Sequence, residues 1–86
     1  MRGMNNIEIQ SGVFGLLKKN YKQSHAIYVY FNGNDISITD DRLPFRYYPF
    51  AAKKILAKYP QIRMVYFLGG WTTHVYSRET LKWLAI

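Results

Sequence analysis

His25 and His74 are the only histidines in the chain, and lysines, arginines and tyrosines surround them in sequence. Imidazole moves protons near neutral pH and cations stabilise phosphate charge, so this set could build a metal-free ribonuclease site. The carboxylates offer less. Asp40 and Asp41 sit together in a polar connection, Asp35 falls in a turn, and Glu79 opens the last expected helix. Each has an ordinary turn or capping role. No phosphate-binding glycine loop, dinucleotide fingerprint, paired-histidine zinc helix or nucleophile elbow occurs. Without cysteine, thiolate catalysis, disulfides and cysteine-ligated zinc are excluded. The sequence assigns no catalytic residue, no metal ligand and no cofactor, and it points first to binding.

Charge points to the class of partner. Twelve basic residues against five acidic ones leave a net charge of +7, which favours encounter with a polyanion. Lys18 and Lys22 are four apart, as are Lys54 and Lys58, with Lys19, Lys53 and Arg63 close by. On a helix each pair shares one face, separated by about 6 Å of rise. Two such patches suit phosphate contacts that position a nucleic acid without reading its bases. Lysines near a helix C-terminus also oppose the macrodipole, for about 0.3–1 kcal/mol each, so both roles stay open.

Eight tyrosines give a second candidate surface. Strand alternation sets Val29 and Phe31 opposite Tyr28 and Tyr30, and Val65 and Phe67 opposite Met64 and Tyr66. If the valines and phenylalanines face the helices, Tyr28, Tyr30 and Tyr66 lie on an uncovered face, with Ser37, Thr39, His74 and Tyr76 as neighbours. Such a platform can stack unpaired bases, hold a protein partner, or mediate a homodimer through the sheet face.

These residues need elements to carry them. Asn5 and Glu8 read as a capping box, followed by Ile9, Val13, Leu16, Leu17 and Tyr21 at helical spacing. A strand at Ile7–Ile9 before a helix from Ser11 is the competing reading. Residues 25–31 predict a strand, Asn32-Gly33-Asn34-Asp35 a tight turn and Ile36–Thr39 its return. Pro49 opens a second helix with Ala52, Ile55, Leu56 and Tyr59 buried, and Pro60 stops it. Gln61–Leu68 and Trp71–Tyr76 predict a second hairpin about Gly69-Gly70, and Ser77 caps a short last helix burying Leu81 and Leu84.

The halves echo each other. Val29-Tyr30-Phe31 and Gly33 return 36 residues later as Val65-Tyr66-Phe67 and Gly69, and the same offset pairs Phe14 with Phe50, Lys18 with Lys54, Lys22 with Lys58, and Arg42 with Arg78. This predicts one α+β domain over residues 1–86, with repeat units at about 9–44 and 45–80. The expected architecture is a pseudo-twofold α-β-β-α-β-β-α body: a four-stranded antiparallel sheet with helices packed on one face.

Ser24-His25 after a basic helix, then Ile36-Ser37-Ile38 and Leu43-Pro44 before Ala52-Lys53-Lys54-Ile55-Leu56, resembles the small HicA-type mRNA interferase toxins over about the first 58 residues. That resemblance implies a double-stranded-RNA-binding-like fold and maps the family's catalytic histidine to His25. The glycine usual before the serine is Gln23 here. The element order also resembles half of a LAGLIDADG homing endonuclease, whose sheet saddles DNA, but the first helix here carries no catalytic acid.

The combined reading is a small, basic, non-enzymatic binding protein that contacts DNA, RNA or a nucleic-acid-handling protein. One alternative is a protein-binding inhibitor or adaptor of bacterial or phage accessory type, acting through the tyrosine face. The other is a metal-independent RNase using His25. No apolar run approaches the roughly 20 residues of a membrane span, and the N-terminus lacks the apolar stretch of a signal peptide, so the cytoplasm is the expected location.

Overall fold

The computed structural model describes residues 4–84. Helix α1 (Asn6–Asn20) starts where the capping box places it. The Asn5 carboxamide accepts from the Glu8 amide at 2.8 Å, and the Glu8 carboxylate accepts from the Asn5 amide at 3.1 Å. A strand at Ile7–Ile9 is not formed, because that box commits the segment to helix. Ile9, Val13 and Leu17, one turn apart, are fully buried.

Strand β1 (Ala26–Phe31) turns through Gly33, at φ +103°, into β2 (Asp35–Asp40). The Asn32 side chain holds this turn by accepting from the amides of Asn34 and Asp35. A 3₁₀ turn (Phe45–Tyr47) leads into α2 (Tyr48–Lys58), followed by β3 (Met64–Leu68) and β4 (Thr73–Ser77). The result is an α+β domain: a four-stranded sheet in the order β1-β2-β3-β4, with both helices packed against it.

The sheet is mixed rather than antiparallel throughout. β1–β2 and β3–β4 are antiparallel hairpins, but β2 and β3 run parallel, with Ile36 opposite Val65 and Ile38 opposite Phe67. The cause is the connection. α2, about 16 Å long at 1.5 Å per residue, carries the chain back along the sheet, so β3 starts at the end where β2 started. Parallel neighbours require such a crossover.

This geometry does not reproduce the expected pseudo-twofold. β1, which the repeat equates with β3, is an edge strand whereas β3 is interior, and no twofold that exchanges β1 with β3 and β2 with β4 carries the order β1-β2-β3-β4 onto itself. What the echo marks is a shared strand pattern: Phe31, Val65 and Phe67 are buried and Val29 packs against the core, whereas Tyr28 and Tyr30 are exposed. Tyr48 stacks on Phe67 at 4.1 Å and 7°, joining the start of α2 to the centre of the sheet.

The last expected helix is replaced by turns over residues 78–83. Arg78 explains why. Its guanidinium donates to the carbonyls of Leu56 and Ile62 at 2.7 Å and of Tyr59 at 3.2 Å. The cation thus sits against carbonyls at the end of α2 and in the segment after it, and the chain that follows Arg78 forms turns. Leu81 and Leu84 are still buried, while Trp83 is exposed. No helix among the described residues is long and apolar enough to cross a membrane.

Gly12, which lowers helix propensity by up to about 1 kcal/mol against alanine, has a packing role. A Cβ there would lie 1.8 Å from the Tyr59 hydroxyl and 2.9 Å from its ring carbon. Gly12→Ala is therefore expected to destabilise the domain by about 1–3 kcal/mol through overpacking, despite its better propensity. Urea denaturation checks this. Tyr59→Phe in the Gly12→Ala background should recover part of the loss, because it removes the nearer atom.

Candidate nucleic-acid interface

The two helices leave a groove of about 610 Å³ between them, lined by Gly12, Gly15, Leu16, Lys19, Asn20, Lys54, Ala57 and Lys58. Gly12, Leu16 and Lys19 follow one another along α1 at helical spacing, while Lys54 and Lys58 stand one turn apart on α2. At Gly15 a Cβ would have no atom within 4 Å, so the groove is open there. The Asn20 amide is anchored by donating to the Leu16 carbonyl at 2.8 Å.

Three lysines line the groove and no acidic residue does. The carbonyl ends of the two helices, at Asn20 and Lys58, oppose them with about half a negative charge each. That leaves a local excess of about +2. Three of the five acidic residues are engaged elsewhere: Glu8 caps α1, Asp41 meets His25, and Glu79 pairs with Lys82 at 3.2 Å.

The other expected cations are dispersed. Lys18 lies on the opposite flank of α1, beside Phe14, Ser24, His25 and Ala26, and Lys22 is exposed beyond the helix end. Lys53 turns to the far flank of α2, where its ammonium donates to the Leu81 carbonyl at 3.5 Å. Arg63 sits between α2 and β3, its backbone amide bonded to the Asn34 carbonyl at 2.7 Å. The expected symmetry of Lys18/Lys22 with Lys54/Lys58 is not formed; Lys19 faces the second pair instead. The spacing Gly12-Leu16-Lys19 carries the signal for that choice, whereas lysine positions alone do not; nothing in the sequence pattern singles out Asn20.

On the sheet's other side, Tyr30, Ser37, Tyr66 and Val75 form one cross-strand row over all four strands, with Tyr28 opposite Thr39 beside it. Tyr28 and Tyr30 are 47% and 49% exposed, their rings 6.4 Å apart and inclined by 26°. Tyr66 is half-buried. His74 and Tyr76 do not belong to this face. They pair with Phe67 and Val65, and cross-strand partners share a face, so both point toward the helices. Phe45 stacks over His74 at 6.0 Å, Tyr48 meets it edge-on at 5.1 Å, and Tyr76 lies edge-on to Phe67. Burial, with the nearby Tyr48, raises the Tyr76 phenol above its ordinary range. Val75 rather than His74 or Tyr76 therefore occupies the open side of β4, because amphipathic rings can join a core and leave an aliphatic residue outside.

His25, just before β1, and His74, on β4, lie at opposite edges of the sheet and form no pair. His25 Nδ1 lies 2.6 Å from the Asp41 carboxylate, and both side chains are about half exposed. Asp40 beside it is buried and structural. Its carboxylate accepts from the Ser24 hydroxyl at 2.6 Å and from the amides of His25, Leu43 and Arg42 at 2.8, 2.9 and 3.1 Å. No group of histidines and carboxylates suited to hold a metal occurs among the described residues. Comparison with family models, curated proteins and solved structures finds no match for this chain.

Burial alone would raise the Asp40 carboxyl, but the hydrogen bonds outweigh it and hold the group below its ordinary range. A depressed folded-state pKa adds stability above the ordinary carboxylate range, and that contribution is lost as pH falls through the depressed value. Asp40→Asn should accordingly cost about 1–3 kcal/mol near neutral pH and flatten the acid limb of the stability curve. Urea midpoints measured from about pH 7 down to about pH 2 test this. Parallel acid limbs for both proteins would show that Asp40 does not carry the dependence.

Proposed function

We propose that the chain is a non-enzymatic binding protein that holds nucleic acid by its phosphates in the groove between α1 and α2. One observation carries this reading: Lys19, Lys54 and Lys58 converge on a single groove that no carboxylate lines. An anion there gains three ammonium partners, and the backbone of a polynucleotide supplies anions in series. Three phosphate contacts give a slope of log K against log salt of about −2.7 for duplex DNA, or about forty-fold weaker binding between about 50 and about 200 mM salt.

Fluorescence anisotropy with labelled DNA and RNA across that salt range tests the proposal. The Lys19→Ala/Lys54→Ala/Lys58→Ala protein should lose most of the affinity and reduce the slope by about 2 to 3. Lys18→Ala, on the other flank of α1, should reduce it by less than about 1. Absence of a complex with either nucleic acid at low salt would sink the idea. The same incubations separate binding from catalysis: RNA that stays intact supports a binder, whereas cleavage abolished by His25→Ala would favour an RNase in which Asp41 orients His25.

A second reading follows from the exposed row Tyr30–Ser37–Tyr66–Val75 and the stacked Tyr28–Tyr30 pair. Aromatic anchors of this kind dominate protein interfaces, where truncating one costs about 2 kcal/mol or more. A protein bound to this face should be retained on pull-down in high salt. Tyr30→Ala with Tyr66→Ala should release it, while the triple lysine substitution should not.

A further inference from the structure

The two edges of the sheet are finished differently. At the β1 edge the Gln10 side chain accepts from the Phe31 amide at 3.0 Å, α1 packs against the strand, and a bulge falls between Ala26 and Tyr28. These are devices by which proteins blunt an edge. β4 carries neither a bulge nor a charged residue, and no proline.

The phase of the β3–β4 ladder shows which β4 groups are free. The Gly69 amide donates to the Thr72 carbonyl at 2.9 Å, and the register pairs Phe67 with His74 and Val65 with Tyr76. Hydrogen-bonded pairs alternate along an antiparallel ladder, so His74 and Tyr76 bond inward to β3. Thr73, Val75 and Ser77 point their backbone groups outward. Ser77 is already satisfied, its amide by the Thr80 hydroxyl at 2.9 Å and its carbonyl by the Leu81 amide at 3.2 Å. That leaves the amides and carbonyls of Thr73 and Val75 without a partner among the described residues.

We infer that β4 pairs with β4 of a second copy of this chain, antiparallel about a twofold axis at His74, to make a continuous eight-stranded sheet. In that register Thr73 of each copy faces Val75 of the other. Every free amide meets a free carbonyl in four reciprocal bonds, and the ladder ends where the Ser77 turn begins. Moving the axis to Val75 would set Thr73 against Ser77, whose groups are taken. The self-match selects this register.

The surroundings fit the same occupant. Phe45 on the helix side, Val75 on the open side and Trp71 in the turn are 70%, 43% and 100% exposed around this edge. A protein of net charge +7 meets itself with least repulsion along an uncharged strand, and Arg78, next in sequence, is turned inward to its three carbonyls. The β1 edge, by contrast, has Lys18 and His25 beside it.

Sedimentation equilibrium of the full chain at about 100 μM, a concentration at which a weak dimer of micromolar affinity is populated, should return twice the 10.2 kDa chain mass. Val75→Pro removes an outward amide that β3 does not use, a position where an edge strand tolerates proline. Val75→Lys keeps the amide but places like charges across the axis. Both variants should sediment at 10.2 kDa with wild-type circular dichroism. Amide exchange at Thr73 and Val75 should be at least about tenfold slower in wild type than in Val75→Lys. A wild-type mass of one chain, or dimers surviving in a folded Val75→Lys protein, overturns the inference. Fast exchange at both amides in the wild type does so as well. None of these results bears on the lysine groove, which lies on the helices and is tested by salt dependence.

Discussion

Asp40 gathers one hydroxyl and three backbone amides around a single carboxylate, and the rest of the domain is arranged by that convergence. The donors come from the approach to β1 and from the turn after β2, so the open ends of the first hairpin are closed by one side chain. A buried carboxylate without these donors would cost several kcal/mol; with them it is held ionised and immobile. The turn it fixes sends the chain into the 3₁₀ segment and α2, and α2 in turn makes β2 and β3 parallel. The exposed pair beside it, His25 and Asp41, inherits its position from the same knot.

How much of this could be read from the chain depends on how local each cause is. The capping box, the Asn-Gly turn, the stop at Pro60 and the inward Val/Phe pattern of β1 and β3 act within a few residues, and each was legible. The parallel junction was not, since strand direction is set by the length and path of a connection rather than by residue type. The final helix failed for a similar reason. Ser77 and Leu81 have the right local signals, but Arg78 finds carbonyls 16 to 22 residues back in the chain, and that pull outweighs a short helix of marginal propensity.

The candidate surfaces divide along the same line. Tyr28, Tyr30 and Tyr66 were placed by alternation alone. His74 and Tyr76 were misplaced because cross-strand pairing, not polarity, decides which side of β4 faces the core. Among the lysines, pairing by an internal echo chose Lys18 with Lys54; packing chooses Lys19, because Gly12 and Leu16 turn that stripe of α1 toward α2. The glycine that looks like a flaw in a helix is the point where Tyr59 seats, and so it sets how closely the lysine-bearing walls approach.

The Arg78 clasp has a consequence for where this domain ends. Residues 78–84 look like a tail: they follow the last strand, contain no regular element and expose Trp83. Yet they hold the cation that closes α2 and two leucines of the core. A cut after Ser77 would remove no strand or helix, but it would uncap one and unroof the other. The boundary of the folding unit therefore lies past its last regular element, in a segment that secondary structure alone would mark as dispensable.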